Sequence, residues 1–266
     1  MKDNAQVVDT TKDTLRANAV VSVEHLKMSF GGVPVIKDLT FHVQKGEVFG
    51  FLGSNGSGKT TTIRALLGIF PADSGILEIN GKKFSVDSDV KLGYLPEERG
   101  LYKKEKVIDV MAYFGQLNGL KHSVALERSR VYLAEVKLLD KAHTRLDKLS
   151  GGQQQKIQLG ITIMHNPSLL ILDEPTKGFD PVNRRLLMDI IKQHRAKGAT
   201  IILVTHHMEE VEQLCDRIIL LKDGVARAYG TVSEVKKQFK NASLDDIFIQ
   251  VYSDQNEDEL EESDRA

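Results

Sequence analysis

The stretch GSNGSGKTT, residues Gly53–Thr61, directly follows the apolar run VFGFL, residues Val48–Leu52. It fits a known pattern in which a glycine, any four residues and a second glycine precede a lysine and a serine or threonine. The fixed positions of that pattern are Gly53, Gly58, Lys59 and Thr60. Glycines let the backbone curl so that several N–H groups point inward at phosphate oxygens. The stretch therefore predicts a phosphate loop between a buried strand and a helix.

Each residue type in the loop has a chemical reason to be there. Lys59 can reach the β- and γ-phosphates of a nucleotide, and Thr60 can offer its hydroxyl to Mg²⁺. The helix predicted to start near Thr60 adds its positive N-terminal end. The remaining loop positions that we expect to surround the phosphates are Ser54, Asn55, Gly56, Ser57 and Thr61. The alternative, a flexible loop that matches by chance, does not explain the flanking strand and helix.

Composition places broad limits on the class of protein. The chain has 266 residues, of which 41% are hydrophobic and 27% charged, as in an ordinary globular protein. The formal net charge is −1, so no global basic field favours nucleic acid as a partner. Cys215 is the only cysteine, which excludes an intrachain disulfide and fits a reducing compartment. No apolar run reaches the roughly 18 residues that span a bilayer, which predicts a cytoplasmic protein.

The order of predicted elements indicates an α/β fold. Residues 1–20 form a polar tail, and short strands joined by turns follow in VSVEHLKMSF, VPVI and LTFHV, with a hairpin in GILEINGKK. Residues 107–139 and 152–164 have helical spacing of apolar residues. Buried strands return in SLLILDE and TIILVTH, separated by a helix that ends at Gly198. The acidic last 14 residues predict disorder.

Two acids follow the apolar run LLIL in the second half of the chain. Asp173 and Glu174 stand at the end of that predicted strand. A carboxylate there can hold Mg²⁺ directly or through water, and Glu174 can polarise an attacking water. The alternative is a strand that ends in acids before a turn, and the phosphate loop elsewhere in the chain favours the functional interpretation.

The stretch LSGGQQQ, residues Leu149–Gln155, opens the predicted helix near Gly152. Ser150 before two glycines is a good helix N-cap, which is the plain structural interpretation. A Ser-Gly-Gly turn at a helix N-terminus is also a site where an anion can bind.

The motifs GSNGSGKTT, LSGGQ, ILDEP, GFD and VTHH, in this order and spacing, strongly resemble the nucleotide-binding subunit of ATP-binding-cassette (ABC) transporters. The resemblance covers about residues 21–240. It implies a phosphate-loop NTPase (RecA-like) core with a mostly parallel sheet. It further implies an N-terminal antiparallel β subdomain and an inserted helical signature subdomain at about 98–165. Residues 241–266 would be a short C-terminal extension with an acidic tail.

The resemblance also implies roles for single residues. Phe30 would stack on adenine, its alternative being a core aromatic of a strand. Asp173 would be the metal-side acid, Glu174 the catalytic base and His206 the sensor of the γ-phosphate, with His207 as the competing candidate. The residues that would contact ATP bound on a second subunit, or bridge to that subunit, are Ser150, Gly151, Gly152, Gln153 and Asp180.

Two positions depart from the family's usual pattern. Glu97, in YLPEERGLY, stands where the family usually has glutamine, and its carboxylate could serve Mg²⁺ or water. The alternative is that Glu97 and Glu98 are both solvated. Lys177, in TKGFD, stands where many members have serine, so the contact between subunits is expected to differ.

The function implied is that of an ATP-binding and ATP-hydrolysing transporter subunit that uses ATP and Mg²⁺. A second ATP-binding subunit, identical or different, would close with it around two ATP molecules and drive a separate membrane-spanning subunit. The protein would therefore lie on the inner face of the cell membrane through that partner, with no nucleic acid expected. YLPEERGLY resembles a subgroup of bacterial sodium-exporter-like ATPases, which favours export.

Two other functions compete with this one. A soluble ABC-type ATPase of the ribosome usually joins two cassettes, whereas this chain has one phosphate loop. Members acting on DNA insert a very long coiled coil, whereas 91 positions separate Lys59 from Ser150. An inactive scaffold is disfavoured because Lys59, Asp173, Glu174 and His206 are all present.

Overall fold

The computed structural model describes residues 16–85, 88–98 and 100–253. The described residues divide into two compact units, one formed by those within 1–88 and 202–266 and the other by those within 89–201. Most of the predicted N-terminal tail and nearly all of the acidic end lie outside the described residues. None of the helices in the described part is long and apolar enough to cross a bilayer.

The first unit begins with the predicted antiparallel strands. Strand β1 (Ala19–Phe30) pairs with β2 (Val33–Gln44) on one side and with β4 (Ser74–Ile79) on the other. VPVI and LTFHV, predicted as separate strands, form the single strand β2, because its pairing with β1 continues through both. The predicted alternation holds, since Leu39, Phe41 and Val43 are all buried.

The parallel part of the first unit carries the phosphate loop. Strand β3 (Val48–Leu52) is buried at every residue and runs parallel to β8 (Arg217–Lys222). A tight turn connects β8 to its antiparallel neighbour β9 (Val225–Thr231). The strand order is β4-β1-β2-β9-β8-β3-β7, where β7 is Thr200–Thr205. The predicted α/β fold with an antiparallel N-terminal part is confirmed.

The described part of the first unit includes four helices. They are α1 (Lys59–Leu66), α6 (Met208–Leu214), α7 (Val232–Gln238) and α8 (Leu244–Ser253). Strand β9 and helices α7 and α8 add to the elements predicted from the sequence. Helix α7 has a recognisable signal, because Thr231 and Glu234 form a capping box. Leu244, Ile247 and Val251 of α8 are buried in one cluster with Leu52 and Leu220.

The described part of the second unit includes a parallel strand pair and four α-helices. Strand β5 (Leu92–Leu95) pairs with β6 (Leu169–Asp173). The helices are α2 (Val107–Leu117), α3 (His122–Glu135), α4 (Gly151–Ile163) and α5 (Pro181–Ala196).

The ends of α3, α4 and α5 can be compared with the ends predicted from the sequence. The prediction that α3 continues to Leu139 is wrong, because Lys137 has a left-handed backbone with φ of 59° and ends the helical run. Helix α4 lies close to the predicted bounds. Helix α5 ends just before Gly198, as predicted.

Candidate functional site

The phosphate loop joins β3 to α1, as its sequence predicts. Gly58 caps α1 with a left-handed backbone at φ of 104°, and its carbonyl accepts a hydrogen bond from Thr62 N–H at 2.9 Å. Gly53 cannot be replaced without strain. A Cβ there would lie 2.5 Å from both Leu221 O and Ser57 Oγ, and φ is 155°. The glycines therefore serve a tightly curled backbone.

The Lys59 ammonium lies within the curve of this loop. Lys59 is only 7% exposed, and its Nζ donates to the carbonyls of Gly53 at 2.8 Å and Ser54 at 2.9 Å. A buried ammonium is costly unless it is held by hydrogen bonds or by a negative charge. Two bonds to the loop fix its position, and a phosphate is the kind of group that such a donor set fits.

His206 and Phe30 also belong to the first unit. His206 follows β7 and is exposed, and its ring centre is 4.2 Å from that of the half-buried His207. The buried Thr205 accepts the His207 N–H at 3.1 Å and so fixes this turn. Phe30, at the end of β1, is 45% exposed and packs edge to face on Phe70 at 5.5 Å. That exposure excludes the core-aromatic alternative for Phe30.

In the second unit, β6 ends on the two predicted acids. Asp173 is 1% exposed and Glu174 is 6% exposed. Glu174 has a left-handed backbone with φ of 48°, which is uncommon for a residue with a side chain and occurs often at functional sites. Hard oxygen ligands of this kind suit a divalent cation such as Mg²⁺.

The signature residues open α4 as a capping box. Ser150 Oγ accepts Gln153 N–H at 3.3 Å, and Gln153 Oε1 accepts Ser150 N–H at 2.9 Å. Gly151 and Gly152 form the first turn. The plain interpretation of Ser150 as a helix N-cap is confirmed, and its contact with a second subunit's ATP stays a prediction.

Two glutamines further along α4 bind backbone carbonyls next to predicted site residues of this unit. Gln155 donates to Pro175 O at 3.4 Å, directly after Glu174, and Gln158 donates to Glu98 O at 3.1 Å. Both side chains are buried. Sequence reasoning missed them, although polar residues at buried helical positions in LSGGQQQKIQL are a usable signal.

Glu97 and Lys177, the two residues that depart from the family pattern, form an ion pair in the structure. Lys177 Nζ lies 2.6 Å from Glu97 Oε1, and the side chains are 60% and 37% exposed. The Glu97 carboxylate is therefore paired with a cation and remains partly solvated. Asp180 follows in the same segment and caps α5 by accepting Asn183 N–H at 2.9 Å. That backbone bond lowers the pKa of Asp180, so the carboxylate stays ionised.

We expect the Glu97–Lys177 pair to contribute about 0.2–1 kcal/mol to the free energy of unfolding, because exposed ion pairs contribute little. A double-mutant cycle measures the coupling energy between the two side chains. It compares the free energies of urea unfolding of the wild type, Glu97→Gln, Lys177→Met and the double variant. The coupling should decrease in high salt. A coupling well above 1 kcal/mol, or one that salt does not change, would contradict an exposed pair.

The loop that curls around the Lys59 ammonium places this chain among the phosphate-loop NTPases. The family described as ABC transporter matches residues 36–177, more than half of the chain. The chain therefore belongs to that family, and it is an ATP-binding subunit of the kind that hydrolyses ATP.

Individual relatives agree with this assignment. An ABC transporter ATP-binding protein of Methanocaldococcus jannaschii is 45% identical over 81% of this chain and 79% of its own length. The linearmycin resistance ATP-binding protein LnrL of Bacillus subtilis is 37% identical over 81% of this chain and 70% of its own. A solved ATP-binding subunit of an ABC transporter superposes with a TM-score of 0.81 at 29% identity, covering 88% of this chain and 99% of that one.

Proposed function

We propose that this subunit closes with a second ATP-binding subunit around two ATP molecules and thereby drives a separate membrane-spanning subunit in export. The observation that carries the proposal is the buried Lys59 ammonium, held by the carbonyls of Gly53 and Ser54 inside the phosphate loop. Resistance to linearmycin, the role named for one relative, supports export.

The proposed ATP contacts come from several elements. Lys59 and the loop amides hold the phosphates, and the exposed ring of Phe30 stacks on adenine. The N-terminal turn of α4 at Ser150 faces the ATP of the second subunit, and Asp180 bridges the two subunits. Residues 53–61 thus bind one nucleotide while the signature turn completes the site of the partner.

The side chains proposed to hold Mg²⁺ all offer oxygen atoms, which are the ligands that this ion prefers. These are the Thr60 hydroxyl and the carboxylates of Asp173 and Glu97. When bound, Mg²⁺ neutralises charge that develops on the phosphate oxygens. Glu97 is held by Lys177 in this structure, so its carboxylate is already positioned by a neighbouring cation.

Glu174 is the proposed general base. Its carboxylate accepts a proton from water as the water oxygen attacks the γ-phosphorus, and the bond to the departing ADP oxygen breaks. Burial of the side chain keeps bulk water from competing with the attacking molecule. His206, exposed at the end of β7, is proposed to sense the γ-phosphate.

The proposed docking surface for the membrane partner is an aromatic cluster in the second unit, made of Tyr102, Tyr113 and Phe114. The ring centres lie 5.6–6.0 Å apart. Tyr102 is 55% exposed and Tyr113 is 47% exposed. An open cavity of about 320 Å³ adjoins them and includes the acids Glu105 and Asp109. An apolar segment with basic flanks is the partner that this surface fits.

This proposal is tested by co-expression of the chain with a candidate membrane-spanning transporter subunit. We expect the wild-type chain to sediment with membranes only when that protein is present. The double variant Tyr102→Ala/Tyr113→Ala should lose at least about tenfold of this association, since exposed aromatic anchors dominate such interfaces. Ile76→Ala, which removes an exposed apolar side chain from the other unit, is the matched control. Tight sedimentation without any partner would contradict the proposal.

A further inference from the structure

We propose that helix α8 clamps the phosphate loop, with Tyr252 as the positioning residue, so that ATP binding and the docking of α8 stabilise each other. The inference rests on the role of the loop in ATP binding. Helix α8, which follows the family's motifs in the chain, would then regulate ATP binding.

The Tyr252 hydroxyl connects the loop to β8. Ser54 N–H donates to it at 2.8 Å, and the hydroxyl donates to Leu221 O at 2.5 Å. A phenolic hydroxyl has one proton to donate and can accept in return, and both capacities are used here. The bridge joins residues that are far apart in the chain, since 198 positions separate Ser54 from Tyr252.

Lys59 binds the same segment of the loop. The ammonium binds the carbonyls of Gly53 and Ser54, while Tyr252 binds the N–H of Ser54. Leu221 O, the acceptor of the tyrosine, also lies against Gly53, where a Cβ would be 2.5 Å away. The conformation that fixes the Lys59 ammonium therefore depends on the tyrosine bridge.

Helix α8 is itself firmly anchored. Lys222 is buried and its Nζ donates to Val251 O at 2.7 Å, with the Tyr252 ring 5.6 Å away. Phe248 packs on the Tyr252 ring with centres 4.5 Å apart. Leu244 joins the apolar cluster under the helix. These contacts fix the position of the Tyr252 hydroxyl.

The expected contribution of Tyr252 is preorganisation of the loop. Because Ser54 N–H is bound to the hydroxyl, the loop backbone at Ser54 already has a fixed orientation before a nucleotide arrives. A loop held in its binding conformation loses less entropy on binding, which raises affinity. Binding linkage is reciprocal, so ATP must stabilise the docked α8 by the same factor by which docking favours ATP.

Tyr252→Phe tests the proposed clamp of the phosphate loop by α8, because it removes only the hydroxyl and keeps the ring. The net value of one hydrogen bond predicts that KM and Kd for ATP rise about two- to tenfold. Turnover at saturating ATP should stay within about twofold, because Glu174 is untouched. Tyr229→Phe is the matched control. It removes a hydroxyl that accepts His42 N–H at 3.1 Å in the same unit, and should lower stability without changing KM.

Amide hydrogen exchange distinguishes the proposed coupling from a purely structural role of Tyr252. A purely structural role predicts no effect of ATP on exchange in α8. ATP should slow amide exchange in the peptide covering Leu244–Ser253 of the wild type, and this slowing should disappear in Tyr252→Phe. Lys222→Met releases the helix at Val251 O while keeping the tyrosine hydroxyl, and should raise KM as well. Unchanged KM in Tyr252→Phe, with α8 still protected by ATP, would overturn the clamp. Failure of the wild type to bind ATP would instead overturn the ATP assignment.

Discussion

Glu174→Gln is expected to lower ATP turnover by at least about a hundredfold, because general-base catalysis typically contributes about 10²–10⁴-fold. Glutamine keeps the size and shape of the side chain and accepts the same left-handed backbone, which has φ of 48°. Only the charge that orients and activates water is lost. Phosphate release at saturating ATP with Mg²⁺ measures the effect.

ATP binding should survive in Glu174→Gln, because the loop and Lys59 are unchanged. Removing a negative charge near the γ-phosphate should even tighten it. Glu135→Gln, at the exposed end of α3 in the same unit, is the matched control and should hydrolyse ATP normally. Near-normal turnover in Glu174→Gln would reject Glu174 as the base.

Lys59→Ala is expected to remove most ATP binding. A charge-assisted hydrogen bond contributes about 1.5–3 kcal/mol, so losing even one bond to a phosphate weakens binding about tenfold to a hundredfold. The change also removes the two bonds that hold the carbonyls of Gly53 and Ser54. Calorimetric titration of both proteins with ATP measures the loss.

The control for Lys59→Ala is Lys45→Ala, which removes an exposed lysine from the turn before β3. It changes net charge equally but lies outside the loop, so ATP affinity should stay at the wild-type value. Equal affinity in Lys59→Ala and the wild type would exclude the loop as the phosphate site.

Features with a local signature were predictable from the sequence. The phosphate loop depends on glycines, a lysine and a following helix within residues 53–66, all adjacent in the chain. The buried strand β6 and its terminal acids depend on an unbroken apolar run. The helix end after Glu135 was missed because Lys137, which gives no strong stop signal, adopts the left-handed conformation that glycine usually supplies.

Contacts between distant residues could not be predicted. Glu97 and Lys177 each departed from the family pattern, but 80 positions separate them, and no periodicity indicates that they meet. The bond between Ser54 and Tyr252 is a second case. Its two residues become neighbours only because α8 packs on an apolar cluster that includes the end of β3. Such pairings are set by tertiary packing rather than by local sequence.

The measurement that tests the central claim most directly is the molar mass of Glu174→Gln in size-exclusion chromatography with light scattering, with and without ATP. A subunit that closes around ATP and cannot hydrolyse it should shift from monomer to dimer with ATP and remain a monomer without it. Adding Ser150→Arg should abolish the shift, because each signature turn is proposed to face the other subunit's ATP. A Glu174→Gln protein that binds ATP yet stays monomeric at saturating ATP would contradict the account and leave Ser150 as a helix cap alone.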